Sequence, residues 1–148
     1  MTEEQMQKVT WLNRAFYAYK KLGALLAQQD RLRTLAQSLS VSYEGNDKGK
    51  SSGSKNGTEN ALIKLADISR NIDSEVHTML DVYTEIDNAI QQIDDDVSQA
   101  ILKRRYLAFE TMEQIAENMN YDKSTVQRKH KKSLDKLPPF AIVCHPKK

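Results

Sequence analysis

Residues 111–137 read TMEQIAENMNYDKSTVQRKHKKSLDKL, and this stretch decides the fold of the C-terminal part of the chain. Its first helix is predicted to begin after Thr111, because Thr111 and Gln114 form a T-x-x-Q capping box. Asn120 suits the left-handed residue that ends a helix in a tight turn, and Asp122 is placed to cap a second, strongly basic helix. Two short helices joined by such a turn describe a helix-turn-helix.

Apolar residues in and just before this stretch indicate which sides of the helices face inward. Three helices are predicted, and the first of them precedes the quoted stretch. The expected inward residues are Ile101, Leu102, Tyr106 and Leu107 in the first helix, Ile115, Ala116 and Met119 in the second, and Val126, Leu134 and Leu137 in the third. We therefore expect a three-helix domain over residues 98–137, ended by Pro138 and Pro139.

The same segment resembles region 4 of sigma-70-type factors. The pattern L-x-x-R-Y-x-x-x-x-[ST]-x-x-x-I-A-x-x-h-x-h-[DS]-x-S-T-V is carried here by Leu102, Arg105, Tyr106, Thr111, Ile115, Ala116, Met119, Tyr121, Asp122, Ser124, Thr125 and Val126. Two residues depart from the family: Asn120 stands where glycine is usual, and Ser124 is smaller than the acidic residue of some sigma factors. The resemblance implies a DNA-binding helix-turn-helix, whereas the base preference does not carry over.

The layout of the whole chain resembles phage regulators of the ArpU/RinA type, which join an N-terminal helical region, a Gly/Ser-rich interruption and a C-terminal sigma-like domain. Those regulators are associated with the control of late phage genes. The resemblance implies a sequence-specific transcriptional regulator, a phage or prophage late-gene activator that acts with host RNA polymerase. Nothing before residue 98 resembles the promoter-melting region of sigma factors, so we expect recruitment of polymerase rather than unaided promoter opening.

The docking geometry of helix-turn-helix proteins assigns roles to residues of the last helix and its neighbour. The N-terminal turns of that helix meet base edges in the major groove, so the expected base contacts are Lys123, Ser124, Gln127 and Arg128. Phosphate contacts set the register on DNA, and they are expected from Arg104, Arg105, Thr125, Lys129, Lys131 and Lys132. His130 is predicted to pack or to face a phosphate rather than to act in catalysis. The alternative is a basic helix face that is only solvated.

Upstream of this domain, residues 59–97 carry the clearest helical periodicity in the chain. Apolar residues alternate there at spacings of three and four with one polar interruption: Leu62, Leu65, Ser69, Ile72, Val76, Met79, Tyr83, Ile86, Ile90, Ile93 and Val97. Such a seam requires a partner helix and supercoils with it. That partner is the N-terminal block folded back as an antiparallel hairpin, a second copy of the chain, or both.

The N-terminal block, residues 3–39, has no proline and is predicted as one amphipathic helix that is bent or shifted in phase around Gly23. Its apolar stripe consists of Val9, Leu12, Phe16, Tyr19, Leu25, Leu32, Leu35 and Leu39. At the other end of the hairpin, Asp94, Asp95 and Asp96 suit the start of a helix. That helix begins either after a kink or as the continuation of residues 59–97.

Between the two blocks, residues 42–58 are rich in Gly, Ser, Asn and Lys and are predicted as a flexible loop. They include GNDKGKS at 45–51, one residue short of the nucleotide-binding pattern G-x-x-x-x-G-K-[ST]. A phosphate loop needs a strand before it and a helix directly after it, whereas a long helix is predicted to precede this one. We therefore expect neither nucleotide binding nor enzymatic activity, and Asn56 with Glu59 is predicted to cap the next helix.

Charge is unevenly distributed along the chain. Residues 59–100 contain two basic and ten acidic residues, whereas residues 101–148 contain eleven basic and five acidic ones. The basic end favours contact with a polyanion. No apolar run approaches the ~20 residues that cross a bilayer, and a single cysteine, Cys144, fits a reducing compartment. We expect a bacterial cytoplasmic location, no membrane partner, no cofactor and no metal site, because Cys144 and His145 fall short of the about four ligands of a zinc site.

These expectations combine into an all-α architecture. Residues 1–97 form a long antiparallel helical hairpin or coiled coil, residues 98–137 form the sigma-70 region 4-like helix-turn-helix, and residues 138–148 form a tail that packs on the domain or adds an edge strand. The expected partners are double-stranded DNA, RNA polymerase and, through the hairpin, a second copy of the chain. The alternative function is a DNA-packaging adaptor that resembles a small terminase subunit.

Overall fold

The computed structural model describes residues 1–45 and 52–139, with side chains for residues 1–39 and 57–139. Regular structure in those residues is helical throughout, which confirms the predicted all-α class. The helices are α1 (Glu3–Leu12), α2 (Arg14–Gly45), α3 (Ser52–Gln91), α4 (Asp96–Tyr106), α5 (Met112–Met119) and α6 (Lys123–Lys136). The strand or packed tail expected after residue 139, with Cys144 and His145, lies outside the described residues.

Contacts group the chain into two compact units. Unit 1 consists of Met1–Ala18 and Met79–Lys148, and unit 2 consists of Tyr19–Thr78. This grouping differs from the predicted division at residue 97, because α1 and the last turns of α3 pack with the C-terminal helices. Unit 1 therefore contains the helix-turn-helix together with Met1–Ala18 and the last turns of α3.

Unit 1 is built around two clusters of buried side chains. The larger cluster joins α1, the start of α2 and the end of α3 to α4 and the end of α6. Its members are Trp11, Leu12, Ala15, Ile86, Ala89, Ile90, Ile93, Leu102, Tyr106, Leu134 and Leu137. The smaller cluster lies within the helix-turn-helix region and consists of Ile101, Ile115, Ala116 and Val126. The predicted inward residues of the three-helix domain are thus confirmed, except that Leu107 and Met119 are only partly buried.

The N-terminal block is not the single helix expected from its sequence. The helix is interrupted at Asn13, whereas Gly23 lies inside α2, so the predicted position of the irregularity is wrong. The side chain of Arg14 lies at the break, where its Nε donates to the carbonyl oxygen of Trp11 at 3.1 Å. The same guanidinium lies 4.8 Å from the centre of the Trp11 ring, a stabilising cation–π geometry.

Unit 2 is an antiparallel hairpin of α2 and α3, as predicted. Lys21 near its start pairs with Glu75 at 3.0 Å, and Gln29 Nε2 donates to Ser69 Oγ at 3.3 Å. Near the other end, a Cβ added at Gly57 would lie 3.5 Å from Leu39 Cδ1. Later residues of α2 therefore meet earlier residues of α3, which is the antiparallel arrangement.

The seam of this hairpin follows the predicted spacing but not all of the predicted residues. On α3 the less exposed positions in unit 2 are Ala61, Leu65, Ile68, Ile72 and Glu75. Leu65 and Ile72 are confirmed, whereas Leu62, Ser69 and Val76 are exposed, so the prediction is wrong for every second position. Ala61 and Leu62 are both apolar, and the smaller Ala61 faces α2. Ile68 takes the place predicted for the polar Ser69, and Glu75, which pairs with Lys21, takes the place predicted for Val76.

The α2 side of the seam shows the same mixture. Leu25, Leu32 and Leu39 lie on the less exposed side as predicted, whereas Tyr19 and Leu35 are exposed. The inner positions are completed by residues that sequence reasoning passed over: Leu22, Gln29 and the buried Ala36.

The helices of the hairpin extend into the predicted loop. Because α2 runs to Gly45 and α3 begins at Ser52, the prediction of a loop is wrong for residues 42–45 and 52–58. The predicted cap at Asn56 is wrong for the same reason, since Asn56 lies inside α3. The Gly57 backbone lies beside the Leu39 side chain, so α2 and α3 are still neighbours at this point of the hairpin. The rest of that loop, residues 46–51, lies outside the described residues.

The predicted helix start at the aspartate triplet is confirmed, and α3 does not continue into α4. α3 ends at Gln91, and Asp95 is the N-cap of α4. Its carboxylate accepts hydrogen bonds from the Ser98 backbone nitrogen at 3.3 Å and the Ser98 hydroxyl at 2.5 Å. Lys136 Nζ lies 2.9 Å from the same carboxylate. The Ser98 hydrogen bond, followed by Lys136, lowers the pKa of Asp95 to about 2.

Among the described residues, no helix combines the length and the apolar character that a membrane span requires.

Candidate nucleic-acid interface

The turn between α5 and α6 has the geometry predicted from its sequence. The Thr111 hydroxyl accepts from the Gln114 backbone nitrogen at 3.1 Å, and the Gln114 side chain accepts from the Thr111 nitrogen at 2.8 Å. Asn120 adopts the left-handed conformation, with φ 59° and ψ 46°. The Tyr121 nitrogen donates to the Ala116 carbonyl at 2.9 Å, which closes the turn. Asp122 occupies the N-cap of α6, but its side chain makes no capping hydrogen bond, so that detail of the prediction is wrong.

α6 has one buried side and one exposed side. Val126, His130, Ser133 and Leu134 face inward and are buried. The four residues expected to contact bases, Lys123, Ser124, Gln127 and Arg128, are all exposed. Because these four are spaced one, three and four residues apart, they lie together on one side of the first turns of α6.

The expected phosphate contacts on α6 are less uniform. Lys131 and Lys132 are exposed and extend the same side of the helix. Lys129 is half-buried, with its ammonium 5.3 Å from the centre of the Tyr121 ring, and Thr125 is also half-buried. The side chains of Lys131 and Lys132 are thus more accessible to a ligand than those of Lys129 and Thr125.

Arg104 and Arg105, also expected to contact phosphates, fasten the connection between α4 and α5. Arg104 Nη1 lies 3.0 Å from a Glu110 carboxylate oxygen, and Arg105 Nη1 donates to the Glu110 carbonyl at 3.0 Å. This connection contains Phe109 with φ of 61°, a strained value for an aromatic residue. The Phe109 ring packs edge-on against Phe16 at 5.6 Å. Both arginines are half-buried, so the structure gives them a positioning role that sequence reasoning did not foresee.

His130 packs beneath the exposed face of α6, which confirms the packing alternative of its prediction. It is 5% exposed, and its Nε2 lies 2.7 Å from the Tyr106 hydroxyl oxygen. Burial, and then the charges of Arg105 and Lys131, lower the pKa of His130 to about 4. Burial likewise raises the pKa of Tyr106 to about 12. At neutral pH both groups are uncharged, and the tyrosine hydroxyl can donate to an unprotonated Nε2.

A family model covers this region and most of the hairpin. Residues 39–138 match the family described as "Protein of unknown function (DUF1492)". The protein belongs to the DUF1492 family. No curated protein matches the chain, and no solved structure matches it.

The DUF1492 match excludes α1, although α1 holds the C-terminal end of α6 in place. Gln5 Nε2 donates to Asp135 Oδ1 at 2.8 Å. The buried Lys8 Nζ donates to the carbonyl oxygens of Leu134 and Leu137, both at 2.9 Å. A cation at a helix C-terminus also complements the helix dipole. The sequence analysis identified neither residue. The T-E-E-Q stretch that ends at Gln5 is a capping box and could have indicated a helix start. Nothing near Lys8 indicates contacts with residues so distant in sequence.

Glu113 is a second residue of this DUF1492 protein that sequence reasoning missed. Its carboxylate lies on α5, 2.6 Å from Nζ of Lys123, one of the expected base contacts. The Lys123 hydrogen bond, more than any other contact, lowers the pKa of Glu113. An exposed carboxylate therefore neutralises one cation at the start of α6.

Metal binding has no support in the described part of this DUF1492 chain. Within residues 1–39 and 57–139, no three His, Cys, Asp or Glu side chains come together as a metal site would require.

Proposed function

We propose that this DUF1492 protein binds double-stranded DNA through its helix-turn-helix and regulates transcription. The observation that carries the proposal is the arrangement of α6, whose buried side is fixed to the core while Lys123, Ser124, Gln127 and Arg128 remain exposed together. The recognition helix of a helix-turn-helix presents this part of its surface to the major groove.

The electrostatics of α6 favour a polyanionic partner. Its fourteen residues include six cations, Lys123, Arg128, Lys129, Lys131, Lys132 and Lys136, and one carboxylate, Asp135. Side chains of these types supply both kinds of contact that DNA binding needs. Arginine and lysine donate to guanine and to phosphates, and glutamine can pair with adenine.

The packing around α6 favours a pre-formed reading surface. Lys8 and Gln5 hold its C-terminal end, the Tyr106–His130 pair supports its middle, and the Asn120 turn sets its start. A helix held at three points keeps its exposed side chains in register, which lowers the entropic cost of binding.

A role in transcription is supported by the resemblance of residues 98–137 to sigma-70 region 4 and of the chain to ArpU/RinA-type regulators. On this proposal the protein binds beside a phage or prophage promoter and recruits host RNA polymerase. Transcription in vitro from a bound promoter should rise when the protein is added to host polymerase. A promoter that is bound and yet repressed would reverse the sign of the regulation.

Selection of bound sequences from a random duplex library tests the reading surface. Wild-type protein should enrich a motif, and the double variant Gln127→Ala, Arg128→Ala should lose that enrichment, because each bidentate base contact contributes about 1–3 kcal/mol of discrimination. A matched control is Lys64→Ala, which removes an exposed cation of α3 in unit 2 and should keep the motif. An unchanged motif in the double variant would show that α6 does not read bases.

A further inference from the structure

The hairpin of unit 2 exposes six large apolar side chains among its described residues, and four of them share one heptad position. With the inner positions of both helices labelled a and d, the residue after each d position is position e. On α2, position e follows Leu25 and is occupied by Leu26, with Tyr19 one heptad earlier. On α3, position e follows Ala61, Ile68 and Glu75. The large apolar residues at position e are all exposed: Tyr19, Leu26, Leu62 and Val76.

These four residues lie on the same side of the hairpin. In an antiparallel pair of helices, the e positions of both helices flank the same edge of the seam. The Lys21–Glu75 and Gln29–Ser69 contacts establish that α2 and α3 are antiparallel in unit 2. Tyr19, Leu26, Leu62 and Val76 therefore lie along one surface, here called the e-face, together with the exposed polar residues Arg33 and Ser69 at the remaining e positions. Exposed apolar surface shared by neighbouring elements is typical of an interaction site.

The two helices that form the e-face carry charges of opposite sign. Between residues 19 and 39, α2 has four cations, Lys20, Lys21, Arg31 and Arg33, and one carboxylate, Asp30. Between residues 57 and 78, α3 has four carboxylates, Glu59, Asp67, Asp73 and Glu75, and two cations, Lys64 and Arg70. A complementary partner must present an apolar surface flanked by an acidic helix beside α2 and a basic helix beside α3. A second hairpin of the same sequence has these properties.

We propose that the e-face binds the e-face of a second copy of this chain, which gives a symmetric dimer with a four-helix interface. Two arrangements with a twofold axis bring the e-faces together. An axis perpendicular to the helices stacks α2 on α2 and α3 on α3, with like charges opposed. An axis parallel to the helices stacks each α2 on the partner's α3, with opposite charges opposed. Charge complementarity selects the second arrangement.

The solution mass of the full-length protein tests this proposal without DNA, so its outcome is independent of the proposed function. Light scattering coupled to gel filtration should give twice the chain mass of 16.9 kDa for the wild type. Leu62→Lys should shift the mass to 16.9 kDa at the same concentration, because it sets a cation against the basic α2 of the partner. The matched control is Ile63→Lys, which alters the neighbouring residue outside the e-face and should remain dimeric. Leu62 and Ile63 are similarly exposed, at 54% and 60%.

Circular dichroism of each variant confirms that helical content is retained, and a second substitution covers the case in which Leu62→Lys fails to fold. Leu26→Glu places a carboxylate opposite the acidic α3 of the partner and should also give monomers. A monomeric wild type overturns the proposal, as does equal dissociation of Leu62→Lys and Ile63→Lys, or the persistence of dimers in both Leu62→Lys and Leu26→Glu. A ring of eight or more copies would overturn the dimer and favour the DNA-packaging alternative.

Discussion

Unit 1 and unit 2 are both assemblies of helices, yet they bury their side chains to different extents. In unit 1, Ile115, Val126 and Leu134 have no exposed surface, whereas the best-buried described side chains of unit 2, Ile68, Ala36 and Ala61, keep 7–8%. Several helices converge on the two buried clusters of unit 1, but only α2 and α3 meet in the unit 2 hairpin. Unit 1 can therefore hold the exposed side of α6 in fixed geometry, while unit 2 retains exposed apolar surface.

Truncation of a core residue should affect the two units unequally, and this is the largest effect we expect. Ile115→Ala should lower the free energy of unfolding by about 2–5 kcal/mol, because it leaves a cavity in a closed core. Leu65→Ala in the half-buried seam of unit 2 should lower the free energy of unfolding by a smaller amount. The single tryptophan, Trp11, lies in unit 1, so its fluorescence during urea unfolding measures Ile115→Ala. Circular dichroism follows the helices of both units and measures Leu65→Ala. Equal losses for the two variants would remove the distinction between the units.

The stability of unit 1 should depend on pH through His130. Its folded pKa of about 4 lies below the ordinary value of 6.5, so between these values the unfolded chain binds more protons than the folded one. The contribution of His130 to the free energy of unfolding is therefore fully present above pH 6.5. The free energy of unfolding falls by up to about 3 kcal/mol as the pH drops towards 4. The pH profile of the Trp11 transition in His130→Gln should lack this fall. Asp95 does not affect this comparison, because its pKa is lowered to about 2. Its contribution to the free energy of unfolding is therefore lost only at lower pH.

Removal of the Lys8 side-chain cation should destabilise unit 1 by about 1–3 kcal/mol, since it leaves the Leu137 carbonyl oxygen without its Lys8 donor and the Leu134 carbonyl oxygen with only the Leu137 nitrogen. We expect Lys8→Met to lower the urea midpoint of the Trp11 signal. The exposed Lys64 of unit 2 is the matched position, and Lys64→Met should change that midpoint little. Should Lys8→Met be equally silent, the contact between α1 and α6 would contribute nothing to stability.

The smallest expected effect concerns the ion pair on the reading surface. Glu113→Gln frees Lys123 and removes a negative charge from the face that would meet DNA. The pair is exposed and screened by solvent, so affinity for unselected duplex DNA should rise only slightly, by up to about fivefold. Fluorescence anisotropy with labelled DNA measures the change, and Glu117→Gln, also exposed on α5, is the control. Weaker binding by Glu113→Gln would indicate that the carboxylate takes part in recognition.

The same contrast between the units explains what could be predicted from the sequence. The capping box of Thr111 with Gln114 and the left-handed Asn120 are local features, and the sequence identified both. The seam of unit 2 lies one residue before the predicted one at every second position. The larger Leu62 and Val76 fit the three-four spacing better than Ala61 and the charged Glu75, and the same register selects Ser69 instead of Ile68. The Lys8 contacts to α6 were missed because the partners are 126 and 129 residues away.

The position of the candidate site could be predicted from the sequence, but the contacts that hold it in place could not. The exposed side of α6 follows from spacing alone, since Val126 and Leu134 fix which side is buried. Arg104 and Arg105 look like phosphate ligands in a sequence pattern, whereas in the fold they hold Glu110 beside a strained Phe109. Such a role depends on the path of the connecting chain, which local spacing does not reveal.

Salt dependence of DNA binding tests the central claim most directly. The affinity of the wild-type protein for duplex DNA should fall linearly with salt concentration on logarithmic axes, because bound phosphates release counterions. Lys132→Ala should make that slope shallower by about one unit if Lys132 contacts a phosphate, whereas Lys64→Ala in unit 2 should leave it unchanged. An affinity that does not vary with salt, or no binding at low salt, would contradict the assignment of α6 as a DNA-reading helix.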